Sequence, residues 1–166
     1  MTQYDDLSEY RYHHGVFHRP GTVAVGWLGS ERLFPRVAPT SEVLDRVWEF
    51  CRVSVAQMRG IHECEFCDAE AHYAERNGTR LLLGSAEIRV FSSDGLIFAA
   101  PTLIYHYMDV HHYAPPATFL RAMADGPCPP SLAYFDRLTV LGLDWNPTST
   151  WMQKSVRFRL APPPEG

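Results

Sequence analysis

Arg59-Gly60-Ile61-His62-Glu63-Cys64-Glu65-Phe66-Cys67 is the stretch whose reading decides the fold. Its two cysteines stand three positions apart, the spacing that lets a tight turn aim two sulfurs at one ion. Further along, Tyr105-His106-Tyr107-Met108-Asp109-Val110-His111-His112-Tyr113 supplies a dense group of histidines. A Cys-x-x-Cys pair can also be a redox couple, but redox pairs open a helix in a thioredoxin-like βαβ context, and that context is absent here.

The order of elements strengthens the metal reading. A Cys-x-x-Cys turn, a β-hairpin and then a histidine-bearing helix follow the logic of ββα zinc modules, with a longer insertion. The expected zinc ligands are Cys64, Cys67, His106 and His111. Four residues separate the two histidines, within the spacing that zinc sites use. On an ideal helix that separation rotates the side chains by roughly 140°, so both reach one ion only if the helix loosens near Val110. His62, two before Cys64, is a rival that replaces one histidine, and His112 is a second rival. The alternative to any metal is a set of buried thiols and imidazoles. His13, His14 and His18 are unranked, and His72 reads as a loop residue.

The bulk properties bound the function. A chain of 166 residues suits one domain, expected over 1–160 with a disordered tail at 161–166. The net charge of −4 and the single lysine, Lys154, argue against nucleic acid, whose phosphates need clustered cations. The first fourteen residues are polar and lack an apolar h-region, so no signal peptide is expected, and no apolar run approaches a membrane span. The expectation is a cytoplasmic protein, in which cysteines serve as thiols or metal ligands.

The pattern predicts an α+β fold, a small antiparallel sheet or hairpin packed on helices. A strand is expected at 22–28 and a helix at 41–58, capped by Thr40 or Ser41, with Cys51 on its buried stripe. Residues 68–78 read as a polar segment ending in the Asn77-Gly78 turn. A hairpin then pairs 80–91 with 96–100. Helices follow Pro101, ending before Pro115, and occupy 116–123. Residues 131–143 lean towards helix, and 151–160 read as a last strand.

Catalysis has less support. A catalytic zinc needs an open position and a carboxylate beside it. Glu63, Glu65 and Glu87 are the carboxylates available, and Glu87 with Arg89 reads as a solvent-facing strand pair. The deaminase signature, His-Glu-x-x-His, the phosphate loop, Gly-x-Ser-x-Gly and the dinucleotide fingerprint are all missing from the sequence.

Several motifs together resemble a family. They are Tyr4-Asp5-Asp6-Leu7-Ser8 to Tyr12, Val25-Gly26-Trp27-Leu28, Arg59 to Cys67, Leu83-Gly84-Ser85-Ala86-Glu87-Ile88-Arg89-Val90, and Ala100-Pro101 through His111 to Phe119. The chain over about 1–125 is similar to uncharacterised bacterial proteins, common in actinobacteria and myxobacteria, classed as a domain of unknown function. The resemblance implies histidines at positions 62, 106 and 111 and no known reaction. Two functions stand as expectations. One is a non-enzymatic zinc-stapled module that binds a protein partner, of an immunity or antitoxin kind. The other is a small zinc hydrolase with an open position near His62 and Glu63.

Overall fold

The computed structural model describes residues 3–12, 18–68 and 72–147, with the backbone alone for the last two. They form one α+β domain. In chain order the elements are β1 (Thr22–Ala24), α1 (Ser41–Arg52), β2 (Val53–Val55), β3 (Tyr73–Arg76), β4 (Thr79–Leu82), β5 (Glu87–Phe91), β6 (Ile97–Pro101), α2 (Ile104–His111), α3 (Ala117–Asp125), α4 (Leu132–Val140) and β7 (Trp145–Pro147). The expected strand at 151–160 and the tail at 161–166 lie outside the described residues. No helix among the described residues is long and apolar enough to cross a membrane.

Five strands make the main sheet in the order β1-β6-β5-β2-β7, and β3 and β4 form a separate hairpin. The β1–β6 pair is parallel and the other pairs are antiparallel. Helix α1 starts as expected, with the Thr40 hydroxyl accepting from the Val43 amide at 3.3 Å. It is shorter than its apolar periodicity predicts. After Arg52 the chain turns into β2, where Val53 pairs with Pro147 and Val55 with both Trp145 and Glu87. Val53 and Val55 are β-branched and fully buried, so sheet packing overrides the weak helix propensity of this run.

The expected long strand from Arg80 to Phe91 is two strands. Gly84 breaks it at φ +91°, and a Cβ there would stand 2.3 Å from the His62 carbonyl oxygen. Only glycine permits that approach. The Gly84 carbonyl accepts the His62 amide at 2.8 Å, and the Gly84 amide donates to the Thr102 hydroxyl at 2.9 Å. The break therefore docks the cysteine loop against the hairpins. Asn77-Gly78 does turn the chain, but it closes a hairpin whose first strand, β3, the polar sequence of 68–78 concealed.

The sheet's second face corrects another expectation. Glu87 and Arg89 are not solvent-facing: they are 2% and 1% exposed. Arg89 Nη1 donates to Glu87 at 2.7 Å, and the Tyr10 hydroxyl lies 2.7 Å from both carboxylate oxygens. The segment before β1 covers this face. Its backbone bonds to β1 through Tyr10 to Thr22 and Ala24 to Ser8, both at 2.9 Å. Tyr4, Tyr10 and Tyr12 pack their rings around Trp27. Burial, then the charge of Glu87, pushes the Tyr10 phenol far above its usual range, so it stays a donor.

A buried pair of this kind is costly to break, because the surviving charge has no water to turn to. Arg89→Ala is expected to lower the unfolding free energy by about 3–5 kcal/mol in urea denaturation. Glu87→Leu with Arg89→Met, which removes both charges, should stay much closer to wild type. An Arg89→Ala protein within about 0.5 kcal/mol of wild type would contradict the structural role given to the pair.

Candidate metal centre

Cys64 and Cys67 sit on a tight turn between β2 and β3. The Cys67 amide reaches the Cys64 carbonyl at 3.4 Å, and the Phe66 amide reaches the Cys64 sulfur at 3.4 Å. Glu65 fixes the outer side by accepting from the Ser30 amide at 2.8 Å and its hydroxyl at 2.9 Å. The turn is therefore held by its own backbone on one side and by a neighbouring loop on the other.

Helix α2 brings the histidines, and it stays α-helical through His111 rather than loosening near Val110, yet the Nε2 atoms of His106 and His111 both reach Cys67 Sγ. The His112 amide donates to the Tyr107 carbonyl, a five-residue step where an α-helical bond spans four. The Tyr113 amide donates to the same carbonyl at 2.9 Å. This wider closure lies beyond His111 and ends the helix. His112 then takes the left-handed conformation at φ 55° and points away, exposed. That excludes it from the cluster.

The four expected residues come together. Cys64 Sγ lies 3.3 Å from His111 Nε2, Cys67 Sγ lies 3.2 Å from His111 Nε2, and Cys67 Sγ lies 3.4 Å from His106 Nε2. All four ligand atoms lie within 4.8 Å of one another. A tetrahedron with zinc-like bond lengths has edges of about 3.3–3.8 Å, so the set closes on a centre the size of one metal ion. Cys64 is buried and the other three are half-buried. The cluster could hold a metal ion, and the donor set of two sulfurs and two imidazoles suits a soft or borderline one.

The electrostatics suit neutral imidazole donors. Burial, followed by the nearby His72 and His111, lowers the His106 pKa to about 4. Burial, then Arg36 and His72, lowers that of His111. Burial is also the main force raising the Cys64 thiol to about 11, so metal binding must displace its proton.

The remaining expected residues are elsewhere. His62 Nε2 lies 3.2 Å from the Tyr12 hydroxyl, on the aromatic group around Trp27. Glu63 is exposed, and neither residue belongs to the cluster. Glu65 is engaged with Ser30, and Glu87 is locked under Tyr10. His18 reaches the Tyr10 carbonyl through Nδ1 at 2.9 Å, and His13 and His14 lie outside the described residues. Cys51 is a buried thiol on α1, as expected.

His72 lies in the loop just before β3, as expected, yet it is built into the site. It is 6% exposed, accepts the Cys64 amide at Nε2 over 3.1 Å, and stacks on His106 with ring centroids 4.2 Å apart. The sequence carries one faint signal for it, a histidine just ahead of an alternating stretch that ends in Asn-Gly.

The chain belongs to a family described as a domain of unknown function (DUF7919), which matches residues 2–124. The matched span contains all four clustered residues and His72. Comparison with curated proteins and with solved structures gave no match.

Two outcomes follow from this geometry. His112→Gly removes the strain of a side chain at positive φ and should raise stability by about 1 kcal/mol in thermal or urea denaturation. A loss of stability would contradict the cap. In metal-free protein, His106 binds its proton less readily when folded than when unfolded. Its contribution is therefore whole above its ordinary 6.5 and is lost as pH falls from there through about 4. Melting temperatures of the metal-free protein should fall across that window, and a flat profile would count against the burial of His106.

Proposed function

We propose that the protein is a zinc-stapled, non-enzymatic module that acts by binding another protein. Zinc is the metal that two thiolates and two imidazoles in a tetrahedral arrangement suit best. The observation that carries the reading is closure. Four protein atoms converge within 4.8 Å, and a tetrahedral ion bound by all four has no position left for water or substrate.

The residues on which an open hydrolytic site would depend lie outside the cluster. His62 is with Tyr12, and Glu63 is exposed. The zinc instead ties the loop after β2 to the end of α2, so its binding free energy becomes folding free energy. For small zinc modules that amounts to about 10–16 kcal/mol. Binding a partner, of an immunity or antitoxin kind, fits an acidic chain that lacks clustered cations and carries exposed apolar side chains at Leu33, Val37 and Val110.

Metal analysis of the purified protein should find one zinc per chain. Cys67→Ser should lose the metal and be insoluble or melt far below wild type. A metal-free wild type, or a Cys67→Ser protein with unchanged melting temperature, contradicts the staple. Zinc-dependent hydrolysis of model esters, amides or phosphoesters by the pure protein, abolished in Cys67→Ser, would overturn the non-enzymatic reading.

A further inference from the structure

We propose that His72 is the positioning residue of the metal centre, holding Cys64 and His106 in place without binding the metal itself. The inference rests on the cluster being a zinc site and concerns which of the chain's other residues organises it.

His72 is anchored through both its backbone and its ring. Its carbonyl accepts the Leu83 amide at 2.9 Å, which continues the register of β3 with β4 by one residue. Its side chain then points inward at 6% exposure. Nε2 accepts the Cys64 amide at 3.1 Å. An imidazole nitrogen accepts only through its lone pair, so Nε2 carries no proton and its lone pair is already used. That nitrogen is not free to ligate an ion.

The bond fills a gap in the cysteine turn. The amides of Phe66 and Cys67 are held by Cys64's own sulfur and carbonyl. The Cys64 amide has no such partner within the turn and is buried with its residue, so an acceptor from elsewhere must satisfy it. His72 is that acceptor, and it sets where the first sulfur stands. The same ring lies against His106, with centroids 4.2 Å apart and planes at 42°. It limits the rotation of the imidazole whose Nε2 faces Cys67 Sγ at 3.4 Å. One non-ligand side chain therefore touches a ligand from each half of the site, and the β3–β4 hairpin is the rigid element that carries it. Outer-shell groups of this kind change metal affinity by about 10–100-fold when removed.

The test uses the full chain with zinc or cobalt alone as the probe. His72→Gln places a carbonyl oxygen at the reach of Nε2 and keeps an acceptor for Cys64. His72→Phe keeps a ring against His106 and removes the acceptor. His72→Asn is a polar variant whose acceptor is one bond shorter, and it takes the place of His72→Phe should that protein not fold. Zinc affinity is read by chelator competition and site geometry by the cobalt d–d absorption. His72→Phe and His72→Asn should bind zinc about 10–100-fold more weakly, with a shifted or broadened cobalt spectrum. His72→Gln should stay within about threefold of wild type with a tetrahedral spectrum.

Unchanged affinity and spectrum in His72→Phe or His72→Asn would overturn the inference while leaving the zinc reading intact. So would a loss in His72→Gln as large as in His72→Phe. A five-coordinate wild-type cobalt spectrum that becomes four-coordinate in His72→Phe would make His72 a ligand, which also overturns it. A wild-type protein that binds neither metal fails the zinc reading itself and takes this inference with it.

Discussion

The way α2 stops governs the half of the molecule around the cysteines. It ends in a wider closure, in which the Tyr107 carbonyl takes both the His112 and the Tyr113 amides. That closure turns Tyr113 back into the core. The Tyr113 hydroxyl then meets the Asp6 carboxylate at 2.8–2.9 Å, and Asp6 also accepts the Gly26 amide at 2.9 Å. One helix end thus joins the cysteine loop, the first strand's exit and the N-terminal segment.

The other half is governed by a buried charge. Glu87 and Arg89 lie on the face of β5 opposite Ile88 and Val90, under the lead-in segment. Arg89 also rests over the Tyr10 ring, 5.1 Å from its centroid, and its Nη2 has no partner among the described residues. Such a pair adds little net stability over an apolar substitute, but it penalises any arrangement that leaves one charge alone. It specifies how the segment carrying Tyr10 lies across the sheet. The helix-facing side of the same sheet needs no such device, because its core is a continuous apolar cluster.

The clustering of Cys64, Cys67, His106 and His111 was legible because its signal is chemical and local: two cysteines on one turn and two histidines on one short helix. The start of α1 and the helical character of α4 were legible from capping and apolar spacing. Val53 to Val55 was not, since its apolar residues fit the helical stripe and only pairing with β5 and β7 makes it a strand. β3 was hidden because its residues are exposed or half-exposed and read as a polar loop. Glu87 and Arg89 look like the wet side of a strand until the distant lead-in covers them. His72 has the same difficulty: its partners Cys64 and His106 are set by the fold, not by spacing. Val53 to Val55, Glu87 and Arg89 depend on contacts between segments far apart in the chain, whereas β3 pairs with its neighbour β4 and was hidden by its own polar residues.

Zinc-edge X-ray absorption on the purified full-length protein reads the first coordination shell without crystals. Two sulfurs at about 2.3 Å and two nitrogens at about 2.0–2.1 Å are the expected shell. A shell of oxygen and nitrogen alone, or one with a single sulfur and a water, would contradict the closed Cys64, Cys67, His106 and His111 site.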